Sequence, residues 1–227
     1  MKYGQVISGK FISRPNRFIA YVDINGEIEL VHVKNTGRCR ELLTENALVY
    51  LSVSDNPTRK TKYDIIAVEK ITAEGVRLIN MDSQVVNDVA REYLSGLFPN
   101  AVIRREVTFG ASRFDFYIED GERRIFCEVK GVTLENDGVV SFPDAPTERG
   151  VKHLNELISA AKQGYEAMVL FVTQMEGVKY LTPNDKTHKE FGDTLRKASA
   201  NGVKIIAIDC VVSPNTIFPN VKVEVRL

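Results

Sequence analysis

"RFDFYIEDGERRIFCEVKGV", Arg113–Val132, decides how the second half of the chain folds. Two alternating apolar runs flank Asp120-Gly121, a dipeptide that favours a two-residue type I′ hairpin because both central residues take positive φ. A turn centred there pairs Glu119 with Glu122, Asp115 with Phe126 and Arg113 with Glu128. Side chains alternate across a strand. One face then receives Phe114, Phe116, Ile118, Ile125, Cys127 and Val129, and becomes core. The other receives Arg113, Asp115, Tyr117, Arg124, Phe126, Glu128 and Lys130. Asp115 and Glu128 become diagonal neighbours, roughly 7–8 Å apart at the backbone.

Two carboxylates brought together repel unless a lysine or a metal lies nearby. Hard oxygen ligands suit Mg²⁺ or Mn²⁺, which keep waters and take phosphate oxygens. Asp115 and Glu128 are therefore the candidate metal ligands; Glu92 on the flank of the preceding helix is either an additional ligand or, the plainer reading, a surface acid. Together with Lys130 they form the candidate catalytic triad, in which the lysine orients water or holds phosphate as a point charge. The plainer alternative is a wet charge ladder of Arg113, Glu128 and Lys130.

Working outward, "DSQVVNDVAREYLSGLF" before this stretch has helical apolar spacing, with Asp82 or Ser83 as its cap. "APTERGVKHLNELISAAKQGY" after it is a second helix, capped by Thr147 and stopped at Gly164. Arg149, His153 and Glu156 line one side of that helix. They form either an active-site wall, with Arg149 and His153 on phosphate, or an ordinary polar face. A buried strand at 167–173, a helix near 186–200 and strands at 203–212 and 221–226 complete the order.

Residues 1–80 read differently. Strand-like runs fall near 3–13, 17–24, 27–34, 47–54 and 63–71, with a short helix candidate at 37–43. Five strands with a helix between the third and fourth is the order of an OB-type barrel. This half carries 12 basic and 9 acidic residues, whereas the whole chain carries 30 of each. Arg14, Arg17, Arg38, Arg40, Arg59, Lys60 and Lys62 sit mainly near turns. They are either a solvated rim or a track for a phosphate backbone.

The three cysteines are far apart and form no CxxC, which argues against a zinc or disulfide framework. No run is long enough for a membrane helix, and no signal peptide is visible. The expectation is a soluble cytoplasmic protein with no membrane partner.

"FDF…CEVKGVTL" followed by "FPDAPTERGVKHLNEL" resembles the sugar fermentation stimulation protein family. So do "HVKNTGRCRELL" (32–43), "RKTKYDIIAVEK" (59–70) and "LINMDSQVVNDVA" (78–90). Cys39 stands where the family would have methionine, and "TENA" at 44–47 replaces a Pro-Gly turn. The resemblance implies a two-domain α/β chain. Residues 1–80 would form a five-stranded OB-fold barrel that binds nucleic acid. Residues 81–227 would form an αβββαβ domain like the PD-(D/E)XK nucleases, with a mixed central sheet and Asp115, Glu128 and Lys130 on its motif. It also implies a DNA-binding protein, with RNA a further candidate, and a regulatory role in sugar, particularly maltose, utilisation. Arg14, Arg17, Arg38, Arg59, Lys60, Arg149 and His153 are the expected nucleic-acid contacts. Two functions compete: a metal-dependent nuclease, and a non-catalytic DNA-binding regulator. No helix-turn-helix or zinc finger is visible, so binding is expected to be weakly sequence-specific.

Overall fold

The structure, a computed structural model, describes residues 1–35 and 37–227. The N-terminal part runs β1 (Val6–Ser13), β2 (Ile19–Ile24), β3 (Glu27–Val33), β4 (Leu48–Val53), β5 (Tyr63–Thr72) and β6 (Gly75–Asn80). These form a six-stranded sheet in the order β3-β2-β1-β4-β5-β6, and a β3–β5 pairing closes the first five into a barrel. Alternation explains the closure. Ala20, Val22, Val31, Val49, Leu51 and Ile65 point inward and are fully buried. At the seam His32 pairs with Asp64 in the ladder, and its Nδ1 lies 2.9 Å from the Asp64 carboxylate.

Two expectations for this half need correction. The helix candidate at 37–43 is a turn, in which the N–H groups of Leu42 and Leu43 both bond to the Cys39 carbonyl. Cys39 has φ of 45°, which no helix accommodates. Its apolar residues are core all the same, since Cys39, Leu42 and Leu43 are buried. The boundary segment also holds an extra strand, β6, which pairs with β5 through a tight hairpin from Thr72 to Gly75. Its alternation is short, Val76 and Leu78 about Arg77, and breaks at the adjacent Leu78-Ile79, so it gives little signal in the sequence.

The C-terminal part runs α1 (Val86–Leu97), β7 (Val102–Phe109), β8 (Ser112–Asp120), β9 (Arg123–Val132), β10 (Glu135–Asn136), β11 (Val139–Phe142), α2 (Glu148–Lys162), β12 (Glu166–Thr173), β13 (Tyr180–Pro183), α3 (Asp185–Ala200), β14 (Lys204–Ser213) and β15 (Thr216–Val225). The mixed sheet has the order β10-β11-β13-β15-β14-β12-β9-β8-β7. Strands β9, β12 and β14 are parallel neighbours, and β7–β8–β9 is an antiparallel meander. The αβββαβ order is present, with β10, β11 and β13 as additions too short to give a periodic signal.

The central hairpin has the expected parity but a different register. Asp120 pairs with Arg123 and Phe116 with Cys127, so the turn centres on Gly121-Glu122, with Gly121 at φ 61°. Each strand is therefore displaced by one residue relative to an Asp-Gly turn. Ile118, Ile125, Cys127 and Val129 pack under α1 as expected. Phe114 does not: it joins Phe126 in the other core layer, at a ring separation of 5.4 Å. The ladder ends at Phe116, and beyond it the strands follow different partners.

Helix α2 begins as expected, with Thr147 Oγ1 accepting from the Gly150 N–H at 3.0 Å. Helix α1 begins without a side-chain cap; Asp82 instead accepts from Gln84 within the preceding turn.

The two parts are stitched together. Tyr3 N donates to the Asn215 carbonyl and Met1 N to the Ile217 carbonyl, so the chain's start lies on the β14–β15 hairpin rather than in β1. Gln174 donates to Asn80 and to the Asp82 carbonyl, and Asn80 to the Tyr3 hydroxyl. All four residues are buried. Burial and the nearby Asp82 carboxylate push the Tyr3 hydroxyl far above its ordinary range. Such a network must be fully paired to be tolerated, and it fixes the barrel against the sheet.

Candidate functional site

The end of β9 opens into a cavity of about 440 Å³. Its walls include Asp115 of β8, Glu128 and Lys130 of β9, Asn87 of α1 and Arg149 of α2. Asn35 and Gly37 of the barrel close another side, facing Asp144. The three triad candidates are thus brought together, and the barrel forms part of their enclosure.

Continuing the observed hairpin register one step would set Asp115 directly opposite Glu128, closer than a diagonal pair. The ladder stops there because Asp115 takes over: its Oδ2 accepts the Val129 N–H at 2.8 Å. Its Oδ1 accepts from Asn87 Nδ2 at 2.9 Å. Burial, then the charge of Glu128, raises the Asp115 pKa above the ordinary carboxylate value against these donors. Glu128 goes the other way. Burial alone would raise it, but the His153 hydrogen bond and the Lys130 charge together hold it below its ordinary value.

Glu128 is satisfied at one oxygen only. Lys130 Nζ donates to Oε1 at 2.6 Å, and His153 Nδ1 contacts the same atom. Oε2 is buried and has no hydrogen-bond partner. A buried carboxylate oxygen left without a donor is costly, and its ordinary explanation is a bound ion or water. Two hard carboxylates with one open oxygen, beside a half-open polar cavity, fit a divalent cation such as Mg²⁺ or Mn²⁺.

The sequence "EVKG" has a structural component as well. A Cβ on Gly131 would lie 2.9 Å from both Gln174 Oε1 and Val86 Cγ2. Glycine lets α1 and the Gln174 network approach the strand that carries the triad.

Glu92 does not join the site. It is exposed, and its nearest charged partner is the amino group of Met1, at 3.4 Å. Asn87, a turn earlier on α1, reaches Asp115 instead. His153 is buried against Glu128 and is not a surface phosphate contact. Arg149 is exposed on the cavity wall, with Nε 3.4 Å from His153 Nε2. On the barrel, Arg14 is occupied by the carbonyls of Arg17, Asn35, Gly37 and Arg38, and so braces the cavity's loop. Arg59 forks onto Asp64 at 2.6 and 2.8 Å. Arg17, Arg38, Arg40, Lys60 and Lys62 remain exposed.

Sequence reasoning missed Asn35, Gly37, Asn87, Asp144 and Gln174. They come from four separate segments, and no spacing rule joins them. Among the described residues, Glu148, His188 and Glu190 also bring potential ligand atoms within 4.8 Å of one another. Thr147 N–H donates to His188 Nδ1, so a neutral ring carries its proton on Nε2, facing Glu148 at 3.6 Å. The cluster's members make no hydrogen bond to one another: His188 is held by the Thr147 N–H, with Glu148 beyond hydrogen-bond distance of its Nε2 and Glu190 beside them. No helix among the described residues is long and apolar enough to cross a membrane.

Residues 12–77 match the SfsA N-terminal OB domain, and residues 80–216 match the sugar fermentation stimulation protein RE domain. A sugar fermentation stimulation protein homolog of Clostridium beijerinckii is 58% identical over 96% of each chain. One from Desulfitobacterium hafniense is 57% identical over 100% of this chain and 99% of its own. The solved structure of Pyrococcus furiosus SfsA in complex with Ca²⁺ superimposes with a TM-score of 0.86 at 27% identity, covering 100% of this chain and 98% of that one. The chain belongs to the sugar fermentation stimulation protein family.

Proposed function

We propose that this protein binds DNA with weak sequence preference and hydrolyses phosphodiester bonds at the Asp115–Glu128–Lys130 site with Mg²⁺ or Mn²⁺. The observation that carries the reading is the buried, unpartnered Glu128 Oε2 beside Asp115 in a polar cavity. That a relative's structure holds Ca²⁺ supports a hard-cation site in this fold. A bound cation supplies an acidified water and neutralises charge on the transferring phosphate. The chain's own residues do the rest. Asn87 and the Val129 N–H hold Asp115 in place. Lys130, half-buried on the cavity wall, moves from Glu128 to orient the attacking water or to hold a phosphate oxygen. Arg149 meets the phosphate at the mouth, and the loop carrying Asn35 and Gly37 keeps bulk water out of one side.

Arg17, Arg38, Lys60 and Arg149 would follow the strand's backbone, in a cytoplasmic setting that suits three buried free cysteines. The test is incubation of DNA and of RNA with pure protein and Mn²⁺ or Mg²⁺, beside Asp115→Asn and Lys130→Ala. Product from the wild type alone supports the nuclease. Salt-sensitive DNA binding without product from any form would favour a non-catalytic regulator of sugar metabolism, maltose included.

A further inference from the structure

Glu128 has two donors on one oxygen and none on the other, and the asymmetry has a source outside the triad. His153 sits on α2, 25 residues away in sequence, and is 5% exposed. Arg149 Nε approaches His153 Nε2 at 3.4 Å. A guanidinium only donates, so His153 Nε2 is the acceptor and Nδ1 carries the proton. His153 therefore donates to Glu128 Oε1 from a neutral ring whose tautomer its i−4 neighbour sets. Phe114 packs edge-on against the ring at 6.2 Å and holds its plane.

Resting on the nuclease reading, we propose that His153 is a positioning residue. It anchors Glu128 Oε1 so that Oε2 is the oxygen offered to the cation, and it keeps Oε1 paired when Lys130 leaves. Without it, departure of Lys130 toward substrate would strip a buried carboxylate of its only donor, which is costly. With it, Lys130 is released at the loss of one of two bonds. This is the arrangement in which an outer hydrogen bond orients a metal-binding carboxylate.

The experiment is Mn²⁺ titration of nucleic-acid-free protein by calorimetry, comparing wild type, His153→Leu and His153→Asn, with thermal unfolding recorded for each. Asparagine places an N–H near the Nδ1 position, whereas leucine fills the space without a donor. His153→Leu is expected to weaken Mn²⁺ binding by about tenfold or more, and His153→Asn to stay within about threefold of wild type. Should His153→Leu fail to fold, His153→Gln, whose amide falls nearer the Nε2 position, takes its place with the same expected loss. Mn²⁺ affinity unchanged in the donor-less variant, or equally weakened in His153→Asn, overturns the assignment while leaving the nuclease reading intact. A wild type with no measurable Mn²⁺ affinity overturns both, since it removes the metal site itself.

Discussion

Glu128 and Glu166 lie on adjacent parallel strands, three residues apart in register, and their carboxylates meet opposite fates. Glu166 starts β12 opposite Ile125, and Glu128 lies opposite Val169. Both are held below the ordinary glutamate range, Glu166 at about 2, with the Arg123 hydrogen bonds as the main cause. At Glu166 both oxygens are paired: Arg123 forks onto them at 2.6 and 3.0 Å, and Lys204 adds 2.8 Å. It ties three central strands together at their N-terminal ends, where Arg123 opens β9, Glu166 opens β12 and Lys204 opens β14. At Glu128 one oxygen is doubly paired and the other has nothing. A fully paired carboxylate acts as a clamp, whereas a half-paired one beside a cavity keeps one oxygen with which to take up another group. Charge, residue type and depressed pKa are shared, so none of these alone marks a site.

The largest expected effect separates the two on activity. Asp115→Asn, Glu128→Gln and Lys130→Ala should each lower Mn²⁺-dependent cleavage roughly 10²–10³-fold, the scale of lost transition-state stabilisation. Glu166→Gln should leave the cleavage rate within about twofold, the size of a surface substitution's side effects. A comparable loss for Glu166→Gln in the same assay would break the distinction.

Gly131→Ala should come next. Its methyl group meets Gln174 and Val86 at 2.9 Å, an overpacking that costs about 1–3 kcal/mol in urea denaturation. It should also impair cleavage, because the strand carrying Lys130 must shift. Unaltered stability would mean that α1 can yield, and that the close approach is incidental.

The pairing of Glu166 should appear in acid. A depressed folded pKa contributes stability that is present above the unfolded value, near 4.5, and is lost as pH falls toward 2. The side chain is a third exposed, so solvent screening reduces the contribution to about 1 kcal/mol. Glu166→Gln should thus be less stable than wild type at pH 7 and converge with it below pH 3. Parallel stability curves across that range would remove the clamp's electrostatic basis.

The smallest effect carries the opposite sign. The folded pKa of Asp115 is raised by burial and by Glu128. Its contribution is therefore greatest below the unfolded value, near 3.8, and is lost as pH rises through the folded value. At neutral pH without added cation, Asp115→Asn should be as stable as wild type or more so, by an amount on the order of 1 kcal/mol or less. Asn87 can turn its amide to keep a hydrogen bond to the new side chain. Chemical denaturation at pH 7 in chelator is the measurement, and a clear destabilisation would mean that Asp115 serves the fold more than the site.

Much of this site was legible beforehand because a two-residue period survives error. The hairpin turn is one residue from where Asp-Gly placed it, yet a shift of one on each strand preserves parity, and Glu128 and Lys130 still fell together with Asp115. Phe114 changed layers because the Asp115 carboxylate replaces the ladder, an event that no local pattern announces. Thr147 was readable as a cap since capping is local. Glu92 proves to be the surface acid of its two readings, and Asn87 reaches the site instead, because the helix phase that decides between them depends on how α1 docks.

By itself, the sequence determined the barrel's strands, the αβββαβ order and the polar face that holds the triad. Those follow from periodicity, turn residues and caps, all interactions of near neighbours along the chain. Only the tertiary structure decided which Glu128 oxygen is open, that His153 sits behind it, and that the loop with Asn35 and Gly37 walls the cavity. Those contacts join residues 25 to about 100 positions apart, brought together by β9–β12 pairing and the buried Tyr3–Asn80–Gln174 network. Long-range closure is specified by the whole packed core, so no single stretch of the chain encodes it.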